Sequence, residues 1–176
     1  MYAPSLVFES AGRENHFRHA IMGEDEVGGW LLCNGEPPPR FDSRAYRRLA
    51  GQSAWFMHSF IIVPNHAKKP KTSWSIWDWT EAQALAVETA KAQDCQALPF
   101  HTHPNGILKP SMNDIAFYAR NSGGVFYEFV IASSHPLRLA AWSANSRATC
   151  ANGETADLAR ANFMPWRRLV LNGVVK

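Results

Sequence analysis

The segment HTHPNGILKPSMND, residues 101 to 114, concentrates side chains that could do metal chemistry. His101 and His103 are separated by one residue, and on a strand such positions face the same way, so both imidazoles can converge on one ion. Pro104, Asn105, Gly106 and Pro110 supply enough turn chemistry to fold the chain back. Ser111 and Asp114 have helix-start spacing, which puts Asp114 in the first turn and able to point at the histidines. Two neutral imidazoles and a carboxylate leave the fourth tetrahedral position to water, the layout of a catalytic Zn2+ site with one ion per chain. No thiolate sits in the cluster, which argues against an iron–sulfur centre or a closed structural zinc. Zinc lowers the pKa of its water to about 7, but a base must still relay the proton, so a further carboxylate is required from elsewhere.

The elements that must position this segment follow from hydrophobic patterning. Val27–Cys33 is apolar on both parities, as a strand buried on two faces would be, and Trp55–Val63 is a second apolar strand stopped by Pro64 and Asn65. Thr80 with Gln83 has capping-box spacing and predicts an Ala-rich helix from Glu81 to about Gln93. Ala97–His103 reads as a strand, a helix starts at Ser111, and Val125–Ala132 and Leu137–Trp142 read as a hairpin joined by SSHP. Trp74–Trp79 reads as a short edge strand and Thr155–Asn162 as a helix, while Asn34–Gln52 is a basic loop or short helix whose arginines form a solvated face. Strands and helices in this order make the class α/β (α+β).

Composition narrows the function classes. The chain has 176 residues, 46% hydrophobic and 19% charged, consistent with one soluble domain over residues 1–176. A net charge of +3 falls short of a nucleic-acid footprint, so no nucleic-acid partner is expected. No stretch is apolar enough to span a bilayer and the N-terminus lacks a secretory pattern, so no membrane role is expected. Cys33, Cys95 and Cys150 form neither a CxxC pair nor a disulfide framework, which suits a reducing, cytoplasmic location; Cys33 and Cys95 read as small buried hydrophobes. The remaining histidines, His16, His19, His58, His66 and His135, show no partner pattern, and the Trp74, Trp77 and Trp79 cluster reads as packing before it reads as a substrate platform.

His-x-His, seven residues, then Ser-x-x-Asp resembles the signature of the JAMM (JAB/MPN) zinc metalloprotease family, with His101, His103, Ser111 and Asp114 at its fixed positions and Pro104 at a frequent fifth. The family also carries a Glu before an apolar strand as E-x-x-G-x-L, which Glu26 through Leu31 match; a Gly soon after the Leu pair is replaced here by Cys33. The resemblance spans a motif core over about residues 26–142, including PNHA after the second strand, and leaves 143–176 as a C-terminal extension. It implies a mixed sheet flanked by helices with a layered architecture like that of cytidine deaminases. It implies metal ligands His101, His103 and Asp114, with Glu26 as general base and Glu24 as its nearest competitor. Ser111 would then serve as an oxyanion-type donor while capping its helix. The implied substrate is the C-terminal tail of a ubiquitin-like protein or its conjugate, cleaved at an amide or isopeptide bond. The compact chain resembles bacterial stand-alone members, some of them found in antiviral defence operons. Two rival readings are a non-catalytic MPN-type scaffold and a member of the RadC group, which shares the HxHP…PS..D core.

Overall fold

The computed structural model describes residues 5–34, 54–68, 75, 78–121, 126–134, 137–145 and 164–165. Seven strands form one mixed sheet: β1 (Ser5–Phe8), β2 (Gly28–Asn34), β3 (Ala54–Val63), β4 (Gln96–Thr102), β5 (Phe126–Ser134), β6 (Leu137–Asn145) and β7 (Met164–Pro165). Their spatial order is β1-β3-β2-β4-β5-β6-β7. β4 is central, antiparallel to β2 and parallel to β5. Three helices cover the sheet: α1 (Ala11–Ala20), α2 (Trp79–Ala92) and α3 (Met112–Asn121). This is an α+β fold. Among the described residues no helix is long and apolar enough to cross a membrane.

β2 is apolar on both parities because it is covered on both faces, and six of its seven residues are buried. Leu31 and Cys33 join Phe8, Phe17, Ile21, Phe100 and Val130 in a core under α1. There Phe17 lies 5.2 Å from both Phe60 and Phe100, ring centre to ring centre, in tilted-edge contacts. Trp30 faces the other way and meets Trp79 of α2 at 5.1 Å. A second core, Tyr118, Phe129 and Ile131 with Trp79 and Phe117 against it, lies under α2 and α3. Burial pushes the Cys33 thiol far above its ordinary range, with Cys95 nearby adding to the shift, so it is an inert apolar side chain. Cys95 is only half-buried, unlike the expectation, because it stands in the turn between α2 and β4.

Several elements differ from the sequence reading. α1 and β1 were not anticipated: β1 is four residues long, and within α1 only Phe17 is buried, so neither shows a strong period. The helix start that patterning missed is set by Ser10, whose hydroxyl accepts from the Arg13 N–H at 3.2 Å. α2 begins two residues earlier than predicted, because Asp78 and not Thr80 is the cap, its carboxylate accepting from the Glu81 N–H at 2.9 Å. Trp79 therefore lies in a helix, not in an edge strand. The segments 35–53 and 146–163, with the loop and helix expected there, fall outside the described residues. β5 and β6 pair as the expected hairpin, from Phe126↔Asn145 to Ser134↔Leu137.

Gly29 shows why the third position after Glu26 is a glycine. It pairs with Ile62 on β3, and a Cβ there would collide with the backbone carbonyl of Ile61, which cannot swing aside as a side chain can. Gly29→Ala is expected to cost about 1–3 kcal/mol through forced strand separation, read as a lowered urea midpoint. A midpoint equal to wild type would show that β2 and β3 can part without cost.

Candidate metal centre

β4 brings the two histidines together. His101 pairs with Gly28 on one side and Ile131 on the other, and the His103 N–H continues the ladder to the Ala132 carbonyl at 2.9 Å. Both imidazoles lie on the face covered by α2 and α3, where His101 is 3% exposed. Their Nε2 atoms stand 3.1 Å apart. The loop after His103 turns through Gly106, whose φ of +76° is in the left-handed region that favours glycine. It is fixed by the Asn105 side chain, which accepts from the Ile107 N–H at 3.0 Å, and by Arg138 of β6, which donates to the Gly106 carbonyl at 2.9 Å. That loop carries the Ile107 carbonyl to 2.8 Å from His103 Nδ1. A carbonyl only accepts, so His103 keeps its proton on Nδ1 and directs Nε2 into the site.

Ser111 and Asp114 cap α3 reciprocally. The Ser111 hydroxyl accepts from the Asp114 N–H at 3.1 Å, and the Asp114 carboxylate accepts from the Ser111 N–H at 2.6 Å. The cap aims the carboxylate inward, one oxygen 3.2 Å from His101 Nε2 and the other 3.3 Å from His103 Nε2. One donor atom from each of the three residues lies within 4.8 Å of the other two. Ligand atoms around a tetrahedral zinc at about 2.0–2.1 Å sit roughly 3.3 Å apart, so this donor set fits such an ion with little movement. Burial disfavours the Asp114 carboxylate, but hydrogen bonds from His101 and His103 outweigh it and hold the group well below the usual carboxylate range. Burial likewise works against a charged His103, yet Asp114, the Ile107 carbonyl and the charge of Glu26 raise its pKa above 6.5.

Glu26 reaches the same place through register. The pairing Gly28↔His101 sets Glu26 opposite His103, just beyond the end of β2. The Val27 N–H donates to the Thr102 hydroxyl at 2.9 Å and the Thr102 N–H to the Val27 carbonyl at 2.8 Å, which fixes the turn out of the strand. Asn65 adds a tether that sequence reasoning missed: its Nδ2 donates to the Glu26 carbonyl at 2.8 Å while its Oδ1 accepts from the Ala67 and Ser75 N–H groups. Glu26 lines a cleft of about 580 Å3 together with His101, His103, Ser111 and Asp114, without joining the three mutually close donors. Trp79 and Phe117 form part of the same wall, so Trp79 both packs on Trp30 and faces the cleft. Tyr118, also missed, touches His101 from behind at 3.3 Å. Outside the site, His58 does have a partner, the Glu9 carboxylate at 3.1 Å.

No protein-family model matches the chain, and no curated protein matches it. Among solved structures it is similar to the solution structure of a protein from Desulfitobacterium hafniense, at 14% identity and a TM-score of 0.54, over 81% of this chain and 86% of that one. It is also similar to the solution structure of a protein from Salinibacter ruber, at 16% identity and a TM-score of 0.43, over 92% of this chain and 87% of that one. The first likeness is one of fold alone.

The two shifts act oppositely on the metal-free chain. Asp114, depressed below 3.8, adds stability that is present above that value and lost as pH falls through its lower folded value. His103, raised above 6.5, adds stability that is full below that value and lost as pH rises through its higher folded value. Chelator-stripped protein should therefore melt highest between pH 3.8 and 6.5 and lose Tm on the alkaline side, with both limbs flattened in Asp114→Asn. A Tm that climbs steadily from weakly acid to weakly alkaline pH would contradict the ion pair.

Proposed function

We propose that this chain is a zinc-dependent peptidase or isopeptidase of the JAMM (JAB/MPN) type, cleaving the amide bond after the C-terminal tail of a ubiquitin-like protein in the cytoplasm. The observation that carries the reading is the convergence of His101, His103 and Asp114 beside Glu26 in one cleft. His101, His103 and Asp114 would hold the ion, leaving a position toward the cleft. When bound, zinc supplies a Lewis acid for the scissile carbonyl and lowers the pKa of water to about 7.

The chain's own residues divide the remaining work. Glu26, on the cleft wall but outside the ligand set, takes the proton of the attacking water and passes it to the departing amine. Ser111 keeps its hydroxyl on the cleft wall, where it donates to the carbonyl oxygen as charge develops there. Its cap acceptance from Asp114 uses a lone pair and leaves the O–H proton for that donation. The cleft has room for a short extended segment, and its length of polar wall, with Asn105 and Ser75, offers partners for main-chain groups. The choice of a ubiquitin-like tail rests on the motif resemblance.

Metal content by elemental analysis tests the reading first. About one zinc per chain is expected in wild type and in Glu26→Ala, and little in His101→Ala, because Glu26 is a base and not a ligand. On a ubiquitin-like fusion, Glu26→Ala should then lose about 10²–10⁴-fold in kcat with zinc retained. Wild type that neither purifies with zinc nor takes it up would remove the enzyme reading and leave a scaffold.

A further inference from the structure

We propose that Tyr118 is a positioning residue for the metal centre, its hydroxyl setting the tautomer and ring orientation with which His101 presents Nε2. The inference rests on the zinc reading above. The phenol oxygen lies 3.3 Å from His101 Nδ1, on the far side of the ring from the Nε2 that meets Asp114 and His103. Tyr118 is 1% exposed. Its ring stacks on Phe129 at 3.9 Å and 11°, with Phe117 edge-on at 5.3 Å and Trp79 edge-on at 6.2 Å. Packed on these sides the ring has little freedom to turn, so the hydroxyl is a fixed point against which the imidazole is set.

The two histidines are held by different kinds of group. His103 faces a carbonyl, which only accepts and so pins the proton to Nδ1. His101 faces a hydroxyl, which can accept or donate. When His101 Nε2 is a ligand, its ring proton sits on Nδ1 and the Tyr118 oxygen accepts it. When Nε2 carries the proton toward Asp114, the Tyr118 hydroxyl donates to Nδ1 instead. His101 can therefore pass between metal-free and metal-holding states with no flip of its ring. Helix spacing supplies both parts: Asp114 and Tyr118 are four residues apart on α3, so successive turns of one face carry a ligand and the group that orients another ligand.

Tyr118→Phe keeps the stacked ring and removes the hydroxyl. By competition with a chromogenic chelator, zinc should bind the variant about 10–100-fold more weakly than wild type, with the metal-free melting profile close to wild type. Nitrogen-15 imidazole NMR of the zinc-loaded wild type should show His101 protonated at Nδ1, ligating through Nε2, with the Nδ1 proton close in space to the Tyr118 ring. Equal zinc affinity in the two proteins would overturn the positioning role and leave the zinc reading standing. Wild type that binds no zinc would overturn both. Should the variant not fold, the wild-type spectrum decides: Nδ1 protonated beside Tyr118 supports the role, and ligation through Nδ1 overturns it.

Discussion

Two imidazole nitrogens 3.1 Å apart, each within 3.3 Å of a carboxylate oxygen, form a constellation that cannot exist as a set of bare acceptors. Their lone pairs would repel, and the wall they occupy is nearly closed to the water that could screen them. Something positive must lie between them, a proton shared with Asp114 or a cation. The direction of the shifts at Asp114 and His103 states the proton version of this requirement. A cation at the same point satisfies all three donors at once, with His103 already in the tautomer that offers Nε2.

The rest of the fold can be seen as what holds that constellation against its own repulsion. β4 fixes the two histidines because it is the middle strand, with β2 and β5 hydrogen-bonded on either side. A central strand has little freedom to shift register, and a one-residue slip would send both imidazoles into the α1 core. Asp114 is fixed by the reciprocal cap with Ser111, so helix initiation and ligand placement are one event. The loop between them is held at Gly106 by Arg138, which lies on β6 two strands away. The site therefore draws on β2, β4, β6 and α3 together, and loosening any of these separates the donors.

Much of this was legible in the sequence, and for identifiable reasons. The strand over Val27–Cys33 was readable because burial on both faces removes polar residues from both parities, and His101 with His103 because strand geometry has a period of two. The Ser111–Asp114 cap was readable because its spacing is a local rule. Asn65 and Tyr118 were not, since each acts through a partner distant in sequence, the Glu26 carbonyl and the His101 ring. A signal for Tyr118 existed in its spacing of one helical turn from Asp114, on the face that Asp114 had already oriented inward. α1 escaped because a helix that buries one phenylalanine against a sheet carries almost no periodic pattern.

The position of Glu26 bears on why a base should be kept apart from the ligands. Its backbone is tied by Asn65 and by the Val27–Thr102 exchange, so the residue is delivered by strand register and not by attraction to the donors. A carboxylate placed by attraction alone would move in to complete the coordination of a cation and close the open position. Held by its main chain at the end of β2, it can share the cleft and raise the His103 pKa through space while standing outside the set of three close donors. The same tether explains the economy of the motif that precedes β2. Gly29 lets the strand pass against β3 without a side chain, and that close pairing carries the register which sets Glu26 opposite His103. A glycine three residues from a carboxylate is in this way part of how the carboxylate is aimed.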